Sequence, residues 1–306
     1  MTARQRPARL RRGDRVALVA PSGPVAPDLL DRAVAILTGW GLEVVVGDHV
    51  LDTHPTLPYL AGTDTDRAAD LQRAWCDPTV AAVLCARGGY GAMRMVDLLD
   101  WSAMADAGPK VFTGASDITV LHEAIGAHLG LATLFSPIVA GRSFDDPAQR
   151  HLRETLFEPE RQQRLTGPRA TALNDGVATG MLTGGNLSLL SSGLAASTVT
   201  APPDGSIVLL EDVNEPPYQV DRMLTQLLRG GWFTGAVGIA LGSWTGCGEL
   251  VDVRAVVEDL LVGLGLPVVW ELGFGHCDGQ LTVPLGVPAT LDADNGTITL
   301  AEPALR

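Results

Sequence analysis

The chain has 306 residues, 46% of them apolar, and a formal charge of −13 from 35 acidic and 22 basic side chains. That length exceeds what one core of about 100–150 residues serves, so two domains are expected. Lys110 is the only lysine, and so acidic a chain is excluded as a general nucleic-acid binder, which holds phosphates with clustered cations.

Residues 1–12 are basic, like the start of a signal peptide. The apolar run 16–20 that follows is too short for a signal core and reads as a first strand, and no run reaches the roughly 18 apolar residues of a membrane span. A cytoplasmic protein with no membrane contact is therefore expected. A helix at 27–40 and a strand at 42–46 complete the strand, helix, strand order of a parallel sheet. Residues 67–76 carry Ala68, Leu71 and Trp75 at helical spacing. The strand expected at 80–85 leads into Arg87-Gly-Gly-Tyr-Gly91, and a helix at 92–99 and a strand at 111–113 come next. After Ser116, the residues Ile118, Leu121, Ile125 and Leu129 recur at three and four positions, predicting a helix with Ser116 or Asp117 as its N-cap.

The text from 145 to 173 is polar, with repeated Arg, Gln and Pro. It divides the chain into an N-terminal domain at 1–150, a linker at 151–172 and a C-terminal domain at 173–306. Beyond it come an apolar strand at 207–213, a helix at 218–228, a strand at 236–241 and a helix at 251–264. Short antiparallel strands are expected at 281–283, 289–292 and 297–300, broken by Pro and Asn-Gly. The fold class is α/β, with a parallel-sheet domain first and a smaller α/β domain with mixed or antiparallel strands second.

Three segments suggest chemistry. Ser116 follows an apolar strand and a glycine and precedes a helix, a setting that lifts a hydroxyl off a sheet and faces it with unpaired helix N–H groups. Serine needs a base in reach and a third group to hold that base. His276, framed by glycines in Gly273-Phe-Gly-His-Cys-Asp-Gly279, is the best base, with a free pKa of about 6.5. Glu211 ends a buried strand at the edge where α/β proteins gather their sites, with Asp212 and Glu215 as competitors; strand alternation sets Glu211 and Asp212 on opposite faces. His49, His54, His122, His128 and His151 have weaker claims. The segment at Ser116 departs from G-x-S-x-G, since Ile118 replaces the second glycine. Gly88 and Gly89 fit neither phosphate-loop pattern, and as backbone donors Gly89 and Asp117 suit an oxyanion hole. Cys76, Cys85, Cys247 and Cys277 lack the spacing of a zinc site or a disulfide framework, and Cys277 beside His276 is a rival nucleophile.

In their order, Ala20-Pro-Ser-Gly23, Tyr59-Leu-Ala-Gly-Thr-Asp64, Cys85-Ala-Arg-Gly-Gly-Tyr-Gly91 and Gly114-Ala-Ser-Asp-Ile-Thr119 resemble the LD-carboxypeptidase family of serine peptidases. The resemblance continues through Gly184-Gly-Asn-Leu-Ser188, Leu210-Glu-Asp-Val213, Pro217-Tyr-Gln-Val-Asp-Arg-Met223, Gly275-His276 and Val283-Pro-Leu-Gly286. It implies a flavodoxin-like or amidotransferase-like first domain and a Ser-Glu-His triad split between domains, with Ser116 as nucleophile, Glu211 as acid and His276 as base. It also implies release of terminal D-alanine from muropeptide tetrapeptides, no metal or cofactor, and a homodimer. Arg87 is a candidate for the substrate's free carboxylate, because guanidinium binds carboxylate bidentately. The similar microcin-C immunity peptidases, which cleave peptidyl or aminoacyl nucleotides, are the nearest alternative, with Trp244 and Trp270 as base-stacking platforms. A second alternative is a non-catalytic module holding a phosphorylated ligand at 87–91 and the helix after Ser116.

Overall fold

A strand with no polar face must be covered on both sides, which is the condition of a parallel sheet flanked by helices. In the first half of the computed structural model, which describes residues 4–194, 196 and 202–306, β1 (Arg15–Val19) is followed by α1 (Pro27–Gly39), β2 (Glu43–Val46) and α2 (Asp64–Cys76). There follow β3 (Val80–Cys85), α3 (Ala92–Met95), α4 (Trp101–Asp106), β4 (Val111–Gly114), α5 (Thr119–Leu129) and β5 (Thr133–Phe135). The parallel order β5-β4-β3-β1-β2 is that of flavodoxin-like sheets, whose ligands bind outside the carboxyl ends of the strands.

The second half contributes α6 (Asp146–Phe157), β6 (Arg164–Leu165), β7 (Thr171–Asn174), β8 (Val177–Asn186), α7 (Leu187–Ser192) and β9 (Ser206–Val213). It ends with α8 (Pro217–Arg229), β10 (Ala236–Thr245), α9 (Leu250–Leu261), β11 (Val268–Trp270), β12 (Val283–Leu285), β13 (Pro288–Asp292) and β14 (Thr297–Leu300). The stretch 151–172, expected as a linker, holds most of α6, a 3₁₀ turn at Pro159–Gln162, β6 and the start of β7. The eight-stranded sheet runs β6-β14-β13-β8-β9-β10-β11-β7, parallel from β8 to β11 and antiparallel at its flanks. β12 does not join it. It pairs antiparallel with β5 through Val283 and Phe135, so the strand expected near 281–283 belongs to the first sheet, where both of its faces are buried.

One apolar cluster takes Val16, Leu18 and Leu134 from the first sheet and Leu182, Ile207 and Leu209 from the second, so the two sheets share a core. Phe135 at the end of β5 meets Phe274 edge-on at 6.0 Å. The backbone N–H of Asn186 donates to Thr119 Oγ1 at 3.0 Å across the same seam.

Arg67 in α2 is fully buried and joins three of the motif loops. Its guanidinium donates to the carbonyls of Pro21 and Gly91 and pairs with Asp64. Neutralising it leaves the two buried carbonyls without this donor while Asp64 keeps Arg94, and a buried acceptor left unsatisfied costs about 1–3 kcal/mol. Arg67→Met is expected to lower the thermal midpoint and the denaturant midpoint accordingly. A midpoint within error of the parent would show that the loops hold without it.

Candidate active site

β4 is buried throughout and delivers the chain through an extended Ala115 to Ser116, whose φ is +62°. A non-glycine residue in this left-handed region costs roughly 1–2 kcal/mol, and such strain gathers where a strand turns sharply into a helix to present a nucleophile. Neither Ser116 nor Asp117 caps α5, as their sequence positions suggested. The two start a 3₁₀ turn, Ile118 holds the N-cap position without a side-chain bond, and Ser116 faces a cavity instead. Asp117 is buried behind the turn, where Oδ2 accepts from Ser22 Oγ at 2.6 Å and from the Ala92 N–H at 2.7 Å. Burial raises its pKa, and these hydrogen bonds with the charge of Arg67 oppose the rise. His122 braces the strand from behind: Nε2 donates to the Gly114 carbonyl at 3.0 Å and Nδ1 accepts from Thr133 Oγ1 at 2.8 Å. Burial lowers its pKa to about 4, so it remains neutral.

On the second sheet, β9 carries Glu211 to a position with 0% exposure. Its Oε2 accepts from His276 Nδ1 at 2.7 Å and from the His276 N–H at 3.3 Å. An ionised carboxylate only accepts, so Nδ1 carries the proton and Nε2 is left with its lone pair. Burial pulls the His276 pKa down, but the charge of Glu211, its hydrogen bond and the charge of Asp212 together raise it above 6.5. Asn186, at the end of β8, donates through Nδ2 to Glu211 Oε1 at 3.1 Å and to Asp212 Oδ1 at 3.0 Å. The two carboxylates expected on opposite faces therefore share one donor. Burial, then the Glu211 charge, pushes Asp212 up to about 7. Sequence reasoning missed Asn186 as part of this site, although Gly184-Gly-Asn-Leu-Ser188 stood out as a motif.

Between these groups lies a cavity of about 410 Å³ whose wall includes Ser116, His276, Arg87, Gly88 and Gly89. Ser116 and His276 thus share one cavity, Glu211 stands behind the imidazole, and Asp117 lies behind the serine. Gly88 lets its loop lie against the nucleophile turn, since a Cβ there would sit 3.0 Å from Ser116 Cβ. Gly89, with φ +105°, donates its N–H to no backbone group among the described residues. A hydroxyl, an imidazole with a free nitrogen and a buried carboxylate are the parts of a general-base-activated nucleophile.

Three expected groups fall elsewhere. Trp244 and Trp270 stack on each other at 6.1 Å within the apolar cluster beneath α8 and α9, so neither offers a face to the cavity. Cys277 points away from the wall that holds Ser116, toward Ser243 and Arg169, and burial pushes its thiol up to about 11, which suppresses the reactive thiolate. Among the described residues, His49, Asp52 and Asp66 are the one group with potential metal-ligand atoms within 4.8 Å of one another. They lie outside the cavity wall, and His49 Nδ1 is bonded to Asp52 at 2.8 Å.

Comparison with known proteins defines the class as a peptidase. The LD-carboxypeptidase N-terminal domain matches residues 16–136 and the LD-carboxypeptidase C-terminal domain matches 179–291. A Streptomyces coelicolor protein named as a carboxypeptidase is 57% identical over 302 residues, covering 98% of this chain and 97% of its own. A Bacillus subtilis protein named as a murein peptide carboxypeptidase is 36% identical over 305 residues, covering 96% and 94%. The wild-type apo structure of the microcin C7 self-immunity protein superposes with a TM-score of 0.87 over 99% of this chain and 100% of that one, at 23% identity, a likeness of fold. The chain belongs to the LD-carboxypeptidase family.

Gly275 constrains the contact between Glu211 and His276. Its φ is +93°, and a Cβ would lie 2.5 Å from Glu211 Oε2. Gly275→Ala is expected to lower kcat by about 10²-fold, the effect of a displacement near 1 Å at a reacting group. Unchanged steady-state kinetics in a folded Gly275→Ala protein would show that the pair tolerates displacement.

Proposed function

We propose that the chain is a serine-type LD-carboxypeptidase that hydrolyses the L-D amide bond and releases terminal D-alanine from muropeptide tetrapeptides. The observation that carries this reading is the Glu211–His276 hydrogen bond at 2.7 Å, set beside the cavity that His276 shares with Ser116. The substrate follows the family resemblance and the murein peptide named for the Bacillus relative.

Ser116 attacks the scissile carbonyl while His276 Nε2 takes its proton, and Glu211 holds the imidazole and stabilises its charged form. The N–H groups of Gly89 and Asp117 receive the oxyanion, and each such donor contributes about 10²–10³ in turnover. His276 returns the proton to the leaving D-residue, and water then releases the acyl group from Ser116. Arg87, on the glycine loop beside the serine, binds the leaving residue's carboxylate.

The site is divided between a unit at 1–150 and one at 173–306, joined through 151–172, a division that the two family matches support. No helix among the described residues is long and apolar enough to cross a membrane. We place the protein in the cytoplasm as a homodimer, on the family resemblance. Both candidate stacking tryptophans of the peptidyl-nucleotide reading are in the core, so neither supports it. The non-catalytic phospholigand reading is set aside by membership of a peptidase family.

Ser116→Ala is expected to lower kcat for D-alanine release by at least about 10⁴-fold and to abolish labelling by a fluorophosphonate, with the circular dichroism spectrum unchanged. Retained turnover would remove Ser116 from the mechanism. The base works only when neutral, and its pKa is raised above 6.5. The rate kcat/KM should therefore fall as pH drops through a midpoint above that value. Glu211→Gln should move the midpoint down and lower kcat by about 10⁴-fold. A midpoint that stays in place in Glu211→Gln would contradict the assignment.

A further inference from the structure

Hydrolysis requires the Ser116 hydroxyl and the His276 imidazole in hydrogen-bond reach, about 2.6–3.2 Å, yet the two side chains belong to different walls of the cavity. Each wall is braced on its own side. The Gly279 N–H donates to Asp145 Oδ2 at 2.8 Å and the Thr282 N–H to His151 Nδ1 at 3.1 Å, so α6 holds the loop of His276 and Gln280. Neither bond reaches Ser116. The packing of Phe135 on Phe274 joins the walls, but apolar contact is non-directional and permits sliding.

Thr119 supplies a directional link. It is the first residue of α5, three after Ser116, and has 0% exposure. β13 pairs with β8 only as far as Met181, which leaves the end of β8 open to α5, and there the Asn186 N–H donates to Thr119 Oγ1 at 3.0 Å. The approach is close. A Cβ on Gly185, whose φ is +151°, would lie 2.7 Å from Thr119 Oγ1 and 2.9 Å from its Cγ2.

The far side of the link is equally fixed. Asn186 caps α7, with Oδ1 accepting from Ser188 Oγ at 2.7 Å and from the Leu189 N–H at 3.3 Å. Its NH₂ end is therefore the one turned to Glu211, where it donates to Oε1 at 3.1 Å. Hydrogen bonds in series thus run from the helix that follows the serine to the imidazole: Asn186 to Thr119, Asn186 to Glu211, and His276 to Glu211.

We propose that Thr119 is a positioning residue: through Asn186 it sets the placement of the Glu211–His276 pair relative to Ser116. The proposal rests on the hydrolytic reading above. Thr119 lies outside the cavity wall, so it acts through Asn186 rather than on substrate. An apolar side chain of the same shape would fill the space yet leave the Asn186 N–H without this acceptor, and the seam would be free to shift.

Thr119→Val keeps the shape and removes the acceptor. With turnover measured well below the variant's thermal midpoint, kcat should fall at least about tenfold, within the roughly 10²-fold effect of a 1 Å displacement. KM should stay within about twofold, because the cavity wall is unchanged. The rate of fluorophosphonate labelling of Ser116 should fall in step with kcat, and Thr119→Ser, which restores a hydroxyl, should recover both to within about threefold. Thr119→Ala removes the acceptor without a second methyl and should lose kcat likewise. Parental kcat in the folded valine and alanine variants, a loss carried by KM alone, or no recovery in the serine variant would each overturn the proposal. So would failure of both the valine and alanine variants to fold, which would make the bond one of stability alone. Ser116→Ala separates the two failures. If it loses turnover while Thr119→Val keeps it, the positioning role is wrong and the hydrolytic reading stands; if Ser116→Ala keeps turnover, the hydrolytic reading is wrong.

Discussion

Glu211 has no exposed surface, so both of its carboxyl oxygens depend on the groups aimed at them. An uncompensated carboxylate in that position would cost several kcal/mol or take up a proton. The ring and backbone N–H groups of His276 meet one oxygen and the Asn186 amide meets the other. The same contacts that satisfy the Glu211 oxygens also fix the tautomer of the imidazole. Asp212 next to it shares the Asn186 donor, and burial together with the Glu211 charge raises its pKa. The arrangement explains why the last glycine before His276 lacks room for a side chain.

The surroundings of Ser116 follow a different logic. Ser116 is held in a strained conformation by what lies behind it: Asp117 bound to Ser22 and Ala92, and His122 bound to the carbonyl of Gly114. Arg67 gathers the loops that the first three motifs form. The serine's turn is thus over-determined by buried polar contacts, while the opposite wall, with His276 and Gln280, is fixed through α6 and Phe274. The cavity is where two separately braced walls meet.

Much of this was legible in the residues. Continuous apolar runs located β1, β3 and β4, which are buried on both faces, and helical spacing of apolar residues located α1, α2 and α5. Ser116, Glu211 and His276 were singled out by their settings and, for Glu211 over Asp212, by the family pattern; the structure sets Ser116 and His276 on one cavity and Glu211 against the imidazole. What escaped has a common cause: it depends on contacts between residues distant in the chain. The 3₁₀ start at Ser116 replaced the expected cap because the hydroxyl is turned into the cavity. Trp244 and Trp270 lie on parallel neighbouring strands of a core that one-dimensional text does not display. The polar stretch after residue 145 read as a linker because α6 has only a narrow apolar stripe, Ala148, Leu152 and Leu156.

The return of β12 to the first sheet bears on biosynthesis. Residues 133–135 wait for residues 283–285 to cover them, and the segment near Arg9 is closed by a bond from its N–H to the carbonyl of Arg306 at 2.9 Å. Such long sequence separations slow the final steps of folding. On the ribosome the first sheet therefore emerges with β5 as an open edge. The cleft that brings the Ser116 hydroxyl and the His276 imidazole together forms only after residues 276–285 have been made, so a product ending before them would carry Ser116 without its opposite wall.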